Sequence, residues 1–509
     1  MSATLVSHDL RKRLAMNLLG LAVGVEFFEN LMFVFAAGHI LGGVEGAPHD
    51  LVAIQGSYAA GSLLMIVQQQ WLSRRFGYRR YVAASLALFL AGCLASGLST
   101  SVGGLAAARF VQGLGGGALF TSSRILVNLM FPPAERAPAV RVFILWVLGS
   151  TAAAPIVAAW LVDAGGWSWV FFGAMPPAAI ALVGAAWLLP DAHPQAARQP
   201  WPLLALAGFA LGVFALQWLL LSARYDFLSQ PAHLLVLGVA AVAAIAAFFW
   251  HQWRHHAPLL PFRELGNPTF LIGLGLYFVY YLLSNTGSYL FPVYAQQGLG
   301  FSIEATGWMN SASSLVSLLA VFVYMRAARR FPDRRPQLAL GLAALVFSAW
   351  WFAQMPAGVA HAQLWPGLVA KGVFGMLAIL PVANLTFSQL GERWGQGYAT
   401  KNLVRQLASS LATAVAAVGL QEQQLDARAE LLPHVSPDRP EVAQWLHGME
   451  GVLAARGYGA QDAHQGALEV LSRTVDQQAQ LVACEHLYLV LAAIGLVVAA
   501  AVLLQRRFK

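Results

Sequence analysis

The sequence predicts an all-α integral membrane protein, and three observations carry that prediction. First, 58% of its 509 residues are hydrophobic and only 11% are charged, where soluble globular domains carry about 25% charged residues. Second, apolar runs long enough to cross a bilayer, roughly 20 residues each, recur from one end of the chain to the other. Third, Lys and Arg concentrate in every second loop between those runs. Together they predict fourteen transmembrane helices, arranged as two six-helix bundles plus two inserted helices, with both termini cytoplasmic. The net charge of +8 comes from short basic clusters between apolar runs, a placement that suits a membrane and not nucleic acid. Cys93 and Cys484 fall in or beside apolar runs, so no disulfide framework is implied.

The first run, about 14–41, follows Arg11-Lys12-Arg13. It is too long for the apolar core of a signal peptide and is read as a retained span. Runs two to six lie near 51–71, 81–101, 104–130, 139–162 and 169–190. Runs seven and eight occupy about 202–222 and 231–251. The last six lie near 268–296, 305–325, 337–354, 363–389, 401–421 and 483–505. Counted from a cytoplasmic N-terminus, the inner loops are SRRFGYRR (73–80), PPAERAPAVR (132–141), QWRHHAPLLPFRE (252–264), MRAARRFPDRRP (325–336), GERW (391–394) and the terminal QRRFK. The outer loops GGVEGAPHD, STSVGG, VDAGGWS and QQGLGFSIEAT contain no Lys or Arg.

Residues 422–482 break this economy of loops. They form a polar outer insert, richer in Asp and Glu than in Arg, between the last two runs. Trp445, Leu446, Met449, Val452 and Leu453 recur with helical spacing, as do Leu468, Leu471 and Val475, which predicts short amphipathic helices. These helices serve either as a cap on the outer face or as a docking surface for a periplasmic adaptor protein.

An internal repeat sets the domain plan. RRFGYRR (74–80) after run two and RRFPDRR (329–335) after run ten share one register, and Arg109-x-x-x-Gly113 is echoed by Lys371-x-x-x-Gly375. Runs 1–6 therefore correspond to runs 9–14. The expected division is a first bundle over 1–198, two inserted helices over 199–255 and a second bundle over 256–509. Parallel halves of this kind place a binding site near the midplane between them.

Charged residues inside the runs are the site candidates, because a charge at a span centre costs roughly 2.5–3.5 kcal/mol and tends to face a wet cavity or a partner. VEFFENLM (25–32) holds Glu26 and Glu29 near the middle of the first span, spaced i, i+3 on one face beside Asn30. Two close carboxylates repel, and apolar surroundings favour the protonated form, so at least one can carry a proton near neutral pH. The bland alternative is neutralisation of both by intramembrane arginines. Arg109 and Arg124 lie in span four; Arg124 either pairs with a glutamate or contacts an anionic substrate. Lys371 in span twelve is a weaker candidate, and His39 is most simply structural. Tyr277, Tyr280 and Tyr281, with Tyr289, either line a pocket for flat lipophilic substrates or pack helices. GLGGG (113–117) lies inside a span with no preceding strand and no Walker lysine, so it is not a phosphate cradle. No metal, cofactor or nucleophile pattern is legible, which argues against an enzyme.

LSRRFGYRR (72–80), ARFVQGLGGG (108–117), FPPAERAPAV (131–140) and GGWSWVFF (165–172) resemble segments of the fourteen-span drug:proton antiporter branch of the major facilitator superfamily. YLFPVYAQQGLGFSIEATGW (289–308) and NLVRQLASSLATAVA (402–416) are also similar to family segments. The resemblance implies a major facilitator fold in a bacterial inner membrane and export of small amphipathic or lipophilic compounds in exchange for protons. It places the family's membrane-embedded acid at Glu29 and a proton-coupling role at Arg109. Glu26 has no counterpart and is read as a second proton site or a substrate contact. The resemblance also assigns motif or gating positions to Arg75, Gly77, Arg79, Arg80, Gln112, Gly113 and Pro155. Gln70 and Arg74 stand where the family's loop motif usually has Gly and Asp. GSTAAAPIVAA (149–159) keeps Pro155 but replaces glycines of the family motif with alanine and serine, small enough for close helix packing. That departure keeps open a proton-coupled importer or exchanger of a specific metabolite. A non-transporting receptor is the remote alternative, opposed by the matched halves and the midplane charges.

Overall fold

The computed structural model describes residues 2–48, 50–190, 203–229, 231–255, 258–259, 265–330, 333–387, 390, 394–436 and 439–505. Among them there is no strand, as hydrocarbon demands of a chain that must satisfy its backbone N–H and C=O groups within each segment. Every apolar run coincides with one helix or with two placed end to end. In the first half these are α1 (Ser2–Phe35) with α2 (Ala37–Gly43), α3 (Asp50–Phe76), α4 (Tyr78–Gly97), α5 (Val102–Gly116) with α6 (Leu119–Met130), α7 (Pro133–Gly165), and α8 (Trp169–Phe172) with α9 (Met175–Leu188). Then come α10 (Leu203–Ser229) and α11 (Pro231–Arg254). The second half contains α12 (Pro268–Val293), extended by a π-helical turn over Tyr294–Gly298, α13 (Ile303–Arg330), α14 (Arg335–Phe352), α15 (Trp365–Leu377) with α16 (Ile379–Phe387), α17 (Trp394–Leu431), α18 (Pro440–Ala455) and α19 (Ala460–Leu504).

Twelve helical stretches among the described residues are long and apolar enough to cross a membrane. The two apolar runs outside that set are 102–130, interrupted at Gly117-Ala118, and Arg335–Phe352, whose first residues are Arg, Pro and Gln. The loop segments 260–264 and 391–393 and the terminal residues 506–509, with Phe331 and Pro332 of the repeated loop, lie outside the described residues.

Helix packing repeats between the halves. The pairs α1·α7, α3·α5, α4·α5 and α4·α9 are matched in order by α12·α17, α13·α15, α14·α15 and α14·α19. Across the seam, α7 packs on α13 and α17 on α3, while α10 and α11 pair with each other and α10 leans on α3. At the end away from the basic loops, Phe33, Ile40 and Phe171 join Tyr294, Phe352 and Tyr488 in one hydrophobic cluster spanning both halves. At the basic-loop end, Leu19, Leu86, Leu126 and Leu189 form a cluster confined to the first half. Leu265, Phe270 and Leu390 form a separate small cluster of the second half.

Two sequence features explain local geometry. Gly77, with φ 83°, is the whole connection between α3 and α4, a backbone state that a side chain disfavours. Gly61, Gly113 and Gly117 let α3 and α5 cross with backbones in contact; a Cβ on Gly113 would collide with the Tyr58 carbonyl and one on Gly117 with Ser62. The GLGGG run is thus a packing surface, which accounts for glycines that bind no phosphate.

The insert differs from a set of short helices. Its two flanks continue α17 and α19, 38 and 45 residues long, or about 57 and 68 Å at 1.5 Å per residue. Both exceed the ~30 Å hydrocarbon thickness. Only α18 is separate, seated on α19 through Val442, Leu446 and Ala467. Met449, Leu453 and Leu471 pack there too, whereas Trp445, Val452 and Leu468 stay exposed. Arg428 and Asp476 bridge α17 to α19 at 3.1 Å.

Candidate functional site

The break between α5 and α6 organises the centre of the molecule. Gly117 lies between the two helices, and its carbonyl accepts a 2.9 Å hydrogen bond from Asn402 Nδ2 of α17, in the other half. The same amide nitrogen reaches Thr121 Oγ1 at 3.3 Å. Asn402 Oδ1 accepts from Arg405 Nε at 2.8 Å, and Arg405 Nη2 donates to Glu26 Oε1 at 2.7 Å. A backbone discontinuity, an amide, a guanidinium and a carboxylate thus connect the halves in one chain of hydrogen bonds. Arg405 also lies 4.8 Å from the centre of the Phe27 ring.

Glu29 belongs to a second, wholly intra-half network. Arg109 Nη1 donates to Glu29 Oε1 at 2.6 Å and to Gln112 Oε1 at 2.7 Å. Its Nη2 reaches Asn30 Oδ1 at 3.2 Å and Gln55 Oε1 at 3.3 Å. The guanidinium lies between the rings of Phe33 and Tyr58, 4.3 and 4.4 Å from their centres. Asn30 Nδ2 donates to the Tyr58 hydroxyl and to the Glu26 carbonyl, and Gln112 Nε2 to Cys93 Sγ. Both glutamates and Arg109 are fully buried. The buried guanidinium thus has four side-chain acceptors and two aromatic faces, while its Nε and Glu29 Oε2 have no hydrogen-bond partner.

Between the halves lies a cavity of about 450 Å³, within the size range of small-molecule sites. Glu26, Asn30 and Gln55 line it; Glu29 and Arg109 stand behind that wall and do not. Tyr277, Tyr280 and Tyr281 also face it, the first and third stacked with centroids 5.9 Å apart. Tyr280 additionally donates to the Gly375 carbonyl at 2.7 Å, so these rings both line the cavity and pack helices. Tyr289 is buried in the shared cluster instead.

Arg124 lines the cavity too, yet it pairs with no glutamate: its guanidinium lies 5.3 Å from the Tyr398 ring centre and Nη1 has no hydrogen-bond partner. Lys371 donates to Asn310 Oδ1 at 2.7 Å, 4.5 Å from the Phe291 ring. Pro155 marks the α7–α13 crossing, where Gly307 approaches its carbonyl and Ile156 N donates to Ser311 Oγ at 3.3 Å. Arg75, Gly77, Arg79 and Arg80 sit at the α3–α4 turn, away from the cavity. His39 is exposed.

Two residues at the centre escape the sequence reading. Arg405 and Lys401 stand i, i+4 on α17, and Lys401 sits among Phe120, Tyr281 and Tyr277, at 4.2, 5.4 and 5.6 Å from their ring centres. The rule that singled out Glu26 and Glu29, a charge inside an apolar run, applies equally to them. They were hidden by a start for the run set at 401; α17 begins at Trp394, which moves both residues two or more turns into the span.

The family model described as Major Facilitator Superfamily matches residues 19–413. MdtD of Cronobacter sakazakii, a protein named for multidrug resistance, is 27% identical over 71% of this chain and 76% of its own length. FarB of Neisseria gonorrhoeae, named for fatty acid resistance, is 22% identical over 92% of this chain and 91% of its own. In fold, the chain is similar to a solved structure from work on substrate recognition in proton dependent oligopeptide transporters. There the TM-score is 0.62 at 14% identity, over 96% of this chain and 98% of that one.

Proposed function

Because the chain belongs to the Major Facilitator Superfamily, we propose that it is a secondary active transporter exporting small amphipathic or lipophilic compounds in exchange for protons. The bundles 1–198 and 256–509 would rock about the central cavity, with 199–255 as a flanking helix pair, fourteen spans in all and both termini in the bacterial cytoplasm. The observation that carries this reading is the Glu26–Arg405 pair, which ties the two halves across the cavity. A carboxylate that must change partners when the halves separate links protonation to opening. Glu29, held on Arg109, stands at the family's membrane-embedded acid position, with Arg109 as its coupling partner. The names of the relatives, multidrug and fatty acid resistance, favour export over import of one metabolite.

The projecting insert 422–482 supports a periplasmic adaptor as partner, with Trp445, Val452 and Leu468 as the exposed apolar contacts. The transport reading is tested in proteoliposomes with an imposed pH gradient. Wild type should move an amphipathic probe against its gradient, and Glu29→Gln should abolish pH-driven movement with protein still folded in the bilayer. Full proton-coupled flux in Glu29→Gln would remove that residue's role, and solute movement indifferent to the pH gradient in wild type would remove proton coupling.

A further inference from the structure

The charged side chains lining the central cavity are Glu26, Arg124, Lys371, Lys401 and Arg405, four bases to one acid. The acid accepts from Arg405 through Oε1, while its Oε2 has no hydrogen-bond partner. Lys371 has an amide oxygen as its partner. Among the described residues, Arg124 and Lys401 have no carboxylate within ion-pair distance; their neighbours are aromatic faces, Tyr398 for Arg124 and Phe120, Tyr277 and Tyr281 for Lys401. The two come from opposite halves, Arg124 from α6 and Lys401 from α17, and Phe120 and Tyr398 on those same helices are themselves in contact at 6.5 Å.

An aromatic face offsets only part of the desolvation of a cation, far less than an ion partner supplies in a dry site. The Glu29–Arg109 cluster shows how this chain compensates a buried base from within one half: a carboxylate and three further acceptors. The absence of any such arrangement at Arg124 and Lys401, both facing open volume, marks acceptors left to be supplied from outside the protein. The geometry points to a binding site for the anionic head group of an amphipathic substrate, a carboxylate, sulfonate or phosphate monoanion. Arg124 and Lys401 hold the head, and the stacked Tyr277–Tyr281 rings and Tyr398 flank its apolar body. The inference rests on the transport reading and adds the charge class of the cargo.

Two flat probes with one ring system and opposite fixed charges separate the possibilities: naphthalene-1-sulfonate and 1-naphthyltrimethylammonium. Binding is read by isothermal titration calorimetry on monodisperse protein at one pH, and flux by uptake into proteoliposomes under a pH gradient. The sulfonate should bind at least about tenfold more tightly than the ammonium, the worth of one charge-assisted hydrogen bond. Arg124→Gln and Lys401→Gln should each lose that preference, and Lys401→Arg should keep it, which separates loss of charge from misfolding. Equal or tighter binding of the ammonium, no binding of the sulfonate, or an unchanged preference in the folded double variant would overturn the anion site. Sulfonate binding without flux of either probe would leave the site standing and count against transport. Ammonium flux exceeding sulfonate flux would do the reverse.

Discussion

Glu26 and Arg405 are 379 positions apart in the chain and 2.7 Å apart in space, one from each half of the molecule. Glu26 is fully buried and Arg405 nearly so, so each is the other's main compensation for lost hydration. Breaking such a pair from one side leaves a lone charge, at a cost of roughly 3–5 kcal/mol, whereas replacing both partners is far milder. Thermal unfolding in detergent should therefore rank Arg405→Met well below wild type and Glu26→Gln/Arg405→Met between them. A double variant as unstable as the single one would mean that the pair contributes nothing to the seam.

Glu29 and Arg109 make the contrasting prediction. Their pair is internal to the first half, so Arg109→Met should impair both folding yield and flux. Arg109→Lys keeps the charge but loses the forked contacts to Glu29, Gln112, Asn30 and Gln55. Its expected signature is a folded protein with a shifted pH dependence of transport, measured as initial rate against internal pH. An unchanged profile would detach Arg109 from proton coupling.

The α3–α5 crossing is testable by adding one methyl group. Gly113→Ala and Gly117→Ala insert a Cβ into backbone atoms of α3. Overpacking of this kind costs typically about 1–3 kcal/mol, visible as a lower unfolding temperature and reduced membrane yield. Gly149→Ala meets nothing within 4 Å and should be neutral. Equal behaviour of all three would show that the glycines do not set the helix spacing.

For the insert, surface substitutions discriminate better than a deletion of 430–475, which would cut the Val442–Leu446–Ala467 core and the α17–α19 bridge. Trp445→Asp with Val452→Asp should abolish co-purification of a periplasmic adaptor while vesicle flux stays near wild type. Unchanged co-purification would move the docking surface elsewhere.

Much of the architecture was legible because hydrocarbon imposes one rule on every segment, and apolar length reveals it: every apolar run falls on helix. What periodicity does not encode is interruption. The breaks at Ala36, at Gly117-Ala118 and at Ala378 fall inside unbroken apolar runs, since lipid-facing composition is the same on both sides of a break. The site was half legible. Glu26, Glu29, Arg109 and Arg124 stand out as charges within spans, and three of the tyrosines do face the cavity. Which acid meets which base depends on helix rotation and on contacts between distant segments: of the two readings of Arg124, the glutamate pair is not seen, and Glu26 pairs with Arg405.

The length of α17 has a mechanical consequence. Arg405 and Leu431 lie on the same uninterrupted helix, about 39 Å apart along its axis. With Arg428 tied to α19 and no break between, the insert's first flank and the cavity wall share one continuous helix. A load applied to the outer projection would be delivered as torque to Lys401, Asn402 and Arg405, at the seam itself. Whatever grips the far end of that helix has leverage over the cavity without ever entering it.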